Sequence, residues 1–235
     1  MTNQKENEST ALLLDKESLG KIKDLIDFTN NWFEYNKDLV EKLKLRKNML
    51  GFLGELETAK ILSEKFKDKE IELYGGRKKG YDIEIKSKSG NPIKIQVKTS
   101  EKEAFRFLNL KNANKYKGEI AENYNSINSP TKFEMPKLFE KEIRNQIHAI
   151  DADYWVLVGW LGDKKQFFIL TKEEIEEIAV KDYIRYMEHR KASTNKHNRP
   201  FNYGITKSGT IGIIVNYKNW KNNFDIWNDN WDKIN

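Results

Sequence analysis

The amino-acid sequence predicts a single α/β domain, and three observations carry that reading. Over the first quarter of the chain apolar residues recur every third or fourth position, the mark of amphipathic helices. The period then changes to strict alternation in two short segments around a turn-rich stretch, the mark of a β-hairpin. Further on, two apolar runs of strand length precede a helix that opens with a capping box. At 235 residues the chain suffices for one generous domain, and six Trp with 12% aromatic residues overall point to a packed core rather than a disordered polymer.

Residues 1–16 read as a flexible polar tail ending in the apolar run Ala11-Leu12-Leu13-Leu14. From Glu17 to about Asn48 the residues Leu19, Ile22, Leu25, Ile26, Trp32, Phe33, Leu39, Leu43 and Leu45 predict one or two helices, with a break near Thr29-Asn30-Asn31. A further helix is predicted from Gly51 to Phe66, with Phe52, Leu56, Ala59, Leu62 and Phe66 as its apolar stripe. Tyr81–Lys86 and Ile93–Lys98 then alternate around Ser87-Lys-Ser-Gly-Asn-Pro92, a dense turn signal. Residues 101–147 are charged and Asn-rich, interrupted by Pro130 and Pro136, and read as an irregular insertion. Tyr154–Trp160 and Gln166–Leu170 read as two strands, the first apolar throughout and hence buried. Thr171 with Glu174 starts a helix to about His189, and Thr210–Val215 reads as a late strand before an aromatic, Asn-rich end around Trp220, Trp227 and Trp231.

Composition removes several function classes. No Cys is present, which excludes disulfides, thiolate metal sites and thiol catalysis. No apolar run reaches the length of a membrane span, and the polar N-terminus has no signal-peptide core, so a cytoplasmic protein without a membrane partner is expected. Lys and Arg number 42 against 36 Asp and Glu, a net charge of +6 that suits a polyanionic partner. The same Lys- and Asn-rich usage would also arise from compositional bias alone. No Gly-rich phosphate loop occurs, which speaks against ATP dependence.

The hairpin concentrates the chemistry. Successive side chains alternate across a strand, so Ile83, Ile85, Ile93, Ile95 and Val97 form one face, and Asp82, Glu84, Lys86, Lys94, Gln96 and Lys98 form the other. A turn centred on Gly90 would set Asp82 opposite Lys98 and Glu84 opposite Gln96. By itself such a polar face could simply be solvated. Oxygen ligands beside a cation on a rigid sheet also suit metal-assisted chemistry on a phosphate.

A helix carrying Gly54-Glu55, then Gly80-Tyr81-Asp82-Ile83 and then Gln96-Val97-Lys98 resembles, in that order, the PD-(D/E)xK nuclease superfamily, the fold of many restriction endonucleases and Holliday-junction resolvases. The resemblance is close over residues 50–100 and loose over 153–190. It implies a restriction-endonuclease-like core, a mixed central sheet flanked by helices, preceded by a helical segment and followed by a C-terminal extension. It implies a Mg²⁺-dependent endonuclease of double-stranded DNA, most like a type II site-specific enzyme, with Mn²⁺ able to replace Mg²⁺. Asp82 then matches the principal metal ligand, Gln96 the acid position of the motif, Lys98 its lysine and Glu55 the helical glutamate. Two departures stand out: Gln in place of an acid at 96, and Tyr81 in place of Pro before Asp82.

Residue chemistry agrees with those roles. Mg²⁺ prefers hard oxygen ligands, which Asp82, the Gln96 side chain, the Val97 carbonyl and Glu55 offer. Lys98 would orient the attacking water or offset charge in the transition state. Glu57 lies about 200° round the helix from Glu55 and should point elsewhere. Glu84 is either an additional acid or a partner for Lys86 or Lys94. The decoy Glu84-Ile85-Lys86 lacks a preceding strand acid, and His197-Asn198-Arg199 reads as a solvated loop.

Two stretches are candidate DNA contacts: the insertion 101–147, with Arg106, Lys111, Lys115 and Lys117, and the C-terminal part 191–235, with Lys191, Lys196 and Arg199. Each could equally be a charged covering of the core. A homodimer cutting both strands of a palindrome, and a DNA methyltransferase acting on the same site, are the expected partners. A structure-specific, resolvase-like nuclease and a non-catalytic DNA-binding module are the alternatives.

Overall fold

Asp15 starts the first helix, α1 (Lys16–Tyr35), because its carboxylate accepts the Ser18 N–H at 2.8 Å and satisfies a donor that the first turn leaves open. The computed structural model describes residues 12–36, 46–75, 80–86, 90–101, 104–126, 132–161, 164–192 and 203–234. α1 runs unbroken through Thr29-Asn30-Asn31, where a break is expected from the sequence. The Thr29 hydroxyl donates back to the Leu25 carbonyl at 2.6 Å and so bonds within the helix instead of interrupting it. Residues 37–45, part of the predicted helical stretch, lie outside the described residues. The polar tail is shorter than expected, since Leu12–Leu13 forms a strand, β1.

The chain groups into two compact units, where the sequence suggests one domain. The first comprises residues 1–102, 151–169 and 227–235, and the second 103–150 and 170–226. The first unit holds a six-stranded mixed sheet in the order β1-β2-β3-β4-β6-β7. Its strands are β2 (Glu70–Leu73), β3 (Ile83–Lys86), β4 (Ile93–Ser100), β6 (Tyr154–Leu161) and β7 (Lys164–Thr171) beside β1. β1 through β4 pair antiparallel, and β6 runs parallel to β4. Helix α2 (Arg46–Lys65) lays Leu53, Leu56, Ala59 and Leu62 on Ile83, Ile85, Ile95 and Val97, all buried, as the alternation of the hairpin predicts. Each such Leu, Ile or Val side chain contributes about 1.5–3 kcal/mol by leaving water. Phe52, expected in that stripe, is 43% exposed.

In the second unit β5 (Ala104–Leu110) pairs antiparallel with β8 (Ile211–Asn216). Around them stand α3 (Lys117–Ser126), α4 (Lys137–His148), α5 (Lys172–Ala192) and α6 (Tyr217–Trp227), the last kinked at Trp220. The capping box of α5 is reciprocal: the Thr171 N–H donates to Glu174 at 2.8 Å, and the Glu174 N–H to the Thr171 hydroxyl at 3.3 Å. This helix belongs with the second unit rather than with the catalytic core that residues 153–190 are expected to complete. The insertion is also more regular than its composition suggests, since α4 buries Phe139, Ile143 and Ile147 at one-turn spacing. Among the described residues no helix is long and apolar enough to cross a membrane.

Candidate active site

Asp82 enters the sheet from Gly80, whose φ of 110° is a conformation that glycine alone adopts without strain. Backbone bonds then fix it on both sides: its N–H donates to the Ile95 carbonyl at 2.9 Å, and its own carbonyl accepts the Tyr74 N–H at 2.8 Å. The pairing Ile83–Ile95, Glu84–Lys94 and Ile85–Ile93 sets the register of the hairpin. Asp82 therefore faces Gln96 and Glu84 faces Lys94, two residues away from the register expected for a turn centred on Gly90. The side chains stay on the expected face, because a shift of two preserves parity.

That register builds a tight polar cluster. The Asp82 Oδ2 accepts the Val97 N–H at 2.8 Å and a hydrogen bond from the Gln96 side-chain amide. The same amide nitrogen lies 3.5 Å from the Val97 carbonyl oxygen. A positively polarised NH₂ group thus sits between two oxygens that suit a cation, and turning the amide over would present its oxygen instead. Asp82 is only 5% exposed. Burial pushes its carboxyl up, against the Val97 N–H, the Lys98 charge and the Gln96 amide, which favour ionisation.

Glu55 comes from α2, and the glycine before it explains how. A Cβ at Gly54 would lie 2.0 Å from the Thr99 Oγ1, so the missing side chain lets the helix press against β4. Burial, then the negative charge of Asp82, push the Glu55 carboxyl up to about 7, with Lys98 opposing. Glu55, Asp82 and Lys98 are therefore within one another's electrostatic reach. Glu57 points elsewhere, as its helical spacing predicts, and pairs with Lys165.

Glu84 has partners the sequence did not suggest. Its Oε2 accepts the Tyr81 hydroxyl at 2.8 Å, and the Tyr74 hydroxyl lies between Glu72 at 2.6 Å and this Glu84 oxygen at 3.0 Å, sharing its one proton between them. Lys86 instead pairs with Glu72 at 2.5 Å, and Lys94 with Asp151 at 2.8 Å. Burial and the hydrogen bond to Glu84 push the Tyr81 phenol up to about 12, which keeps it a donor. Tyr81 stands in the position where the motif commonly has Pro, and here it does the work of holding a buried acid two residues beyond Asp82. A signal existed for Tyr74 alone: it follows the alternating stretch Glu70-Ile-Glu-Leu73, which becomes β2, with the parity of Glu70 and Glu72.

The carboxylates of Glu55 and Asp82, the Gln96 carboxamide once turned over and the Val97 carbonyl are hard-oxygen groups of the kind that could hold Mg²⁺ or Mn²⁺. Among the described residues no group of three His, Asp or Glu side chains forms a metal cage by itself. The predicted DNA contacts Arg106, Lys111, Lys115, Lys117 and Lys191 all belong to the second unit. Lys115 is answered by Glu142 at 3.4 Å, and Lys191 lies over the Tyr124 ring at 5.0 Å. Lys196 and Arg199 lie outside the described residues. No family model, curated protein or solved structure matches the chain.

Proposed function

We propose that the chain is a Mg²⁺-dependent endonuclease that hydrolyses phosphodiester bonds of double-stranded DNA, of the PD-(D/E)xK kind and most like a type II restriction enzyme. The observation that carries the reading is the cluster around Asp82. Asp82, just before β3, is hydrogen-bonded to Gln96 and Val97, and the helical Glu55 and Lys98 lie within its electrostatic reach. Glu55, Asp82, the Gln96 carboxamide and the Val97 carbonyl would hold the metal. When bound, it would stabilise phosphate charge and acidify water. The rest falls to this chain's own groups. The Val97 N–H fixes the orientation of the Asp82 carboxylate. Lys98 supplies a positive charge beside it, suited to orienting a water and offsetting charge that develops on the phosphate. The second unit offers surface beyond the catalytic unit, which favours sequence recognition over a compact resolvase. A homodimer would cut both strands of a palindrome, and a methyltransferase of the same specificity would protect resident DNA.

The test is incubation with plasmid and phage DNA, with Mg²⁺ or with EDTA. Discrete fragments in Mg²⁺ alone are expected. A smear would mean cleavage without a site, and cutting confined to four-way junctions would favour the resolvase alternative. No cleavage of any DNA in Mg²⁺ would overturn the reading.

A further inference from the structure

The two-stranded ribbon of the second unit carries a feature that its sequence hides. Arg106 and Asn109 are three residues apart, which on a regular strand puts them on opposite faces. The register changes between Arg106 and Leu108: Arg106 pairs with Ile214, whereas Asn109 pairs with Gly212. That bulge adds one residue and turns Arg106 and Asn109 to the same side. Phe105, Leu110, Ile211, Ile213 and Val215 are buried on the inner side. Arg106, Asn109 and Ile214 are exposed on the outer one. Gly212 lies beneath the pair, and a Cβ there would meet the Asn109 Oδ1 at 3.5 Å and the Arg106 Nε at 3.6 Å. Guanidinium and carboxamide thus lie side by side over a bare stretch of backbone.

We propose that this outer face reads base edges in the major groove of duplex DNA, with Arg106 and Asn109 as specificity-determining residues. The proposal rests on the nuclease reading for its partner. A two-stranded antiparallel ribbon has the width to enter the major groove. Arg donates two parallel hydrogen bonds to guanine, Asn pairs its amide with adenine, and Ile214 offers an apolar contact for a thymine methyl. The face is complementary in charge, because Ala104, Arg106, Asn109, Gly212, Ile214 and Asn216 include no acid and one full positive charge. The bulge leaves Arg106 and Asn109 about 7 Å apart along the strand, close to two base-pair steps.

The experiment is selection of bound duplexes from a random pool in EDTA, with wild type, Arg106→Lys, Arg106→Ala and Asn109→Ala. Wild type is expected to select a site containing G and A positions. Arg106→Lys keeps the charge but loses the paired donors. It should keep the salt dependence of binding while losing roughly fivefold to a hundredfold of discrimination at one G. Asn109→Ala should do the same at one A. Side chains on an outer face can be changed without disturbing the inner one, and circular dichroism of each variant checks this. Gly212→Val, which lifts the pair from the backbone, should relax both positions together. Wild-type preferences retained in every variant, or a wild type that binds duplex DNA with no preference, would overturn the proposal and leave the nuclease reading intact. A wild type that neither binds nor cuts duplex DNA would overturn both.

Discussion

Glu55 is a carboxyl held where its charge is opposed by burial and by Asp82. Its folded value of about 7 lies above the ordinary 4.5, so across that window the folded protein keeps a proton the unfolded chain releases. The contribution is favourable at low pH and is lost as pH rises through about 7. In metal-free protein, Glu55→Gln should leave stability at pH 4 unchanged. At pH 8 it should add on the order of 2 kcal/mol, after discounting for partial exposure. Urea denaturation in EDTA at the two pH values checks this, and a Gln variant less stable at pH 8 would count against it. Asp82→Ala should reduce cleavage by at least about a thousandfold while metal-free DNA binding holds or tightens, since a negative charge leaves the site. Lys98→Ala should reduce cleavage comparably and weaken metal-free binding slightly. Wild-type cutting by purified Asp82→Ala would defeat the site assignment.

The contact between α2 and β4 sets where Glu55 lies. Gly54→Ala brings a methyl to 2.0 Å from the Thr99 Oγ1 and 3.2 Å from its Cβ, so either the threonine turns or the helix moves. A cost of about 1–3 kcal/mol is expected, although alanine in an open helix would gain about 1 kcal/mol. Among the described residues the Thr99 hydroxyl is buried with no hydrogen-bond partner, so Thr99→Ala removes the clash without breaking a bond. The double variant should recover most of the loss in denaturation midpoint; Gly54→Ala as stable as wild type would show the helix to be farther from the strand. Elements of this kind were legible where one physical signal dominated. The hairpin, the buried β6 and the capping box of α5 each follow from an uninterrupted pattern. The register of the hairpin did not, because residues 87–92 contain several turn formers and Gly90 alone does not mark the centre. Glu55, Asp82, Gln96 and Lys98 came forward through the resemblance their order carries, and the fold brings them within hydrogen-bond or electrostatic reach of one another. The Tyr74 and Tyr81 clamp on Glu84 was not legible, because it needs β2 beside β3, and β2 is a four-residue strand with a weak signal.

At the scale of the whole molecule, the chain visits each unit more than once, leaving the first at residue 103 and again at 170. The charged, Asn-rich stretch from 101 marks the first crossing, but no linker and no such shift marks the second at 170, which is why the sequence reads as one domain with an insertion. The division of labour proposed for the two units can be measured. The candidate catalytic groups belong to the first unit, and the described cationic candidates to the second. Lys111 and Lys117 are exposed there, and as phosphate contacts each should lower the slope of log binding constant against log salt by about one when changed to Ala. Lys115→Ala should lower it by less, because Glu142 already answers that charge at 3.4 Å. Arg106→Lys should leave the slope as it is. All of these changes lie in the second unit, so the rise in melting temperature expected with Mg²⁺ in wild type should persist in all of them and vanish in Asp82→Ala. Titration of duplex binding over a range of salt, run beside thermal melts with and without Mg²⁺, reads both units in one set of variants. Slopes unchanged in Lys111→Ala and Lys117→Ala would move the phosphate contacts to other residues, and a Mg²⁺ shift that survives Asp82→Ala would move the metal away from the hairpin.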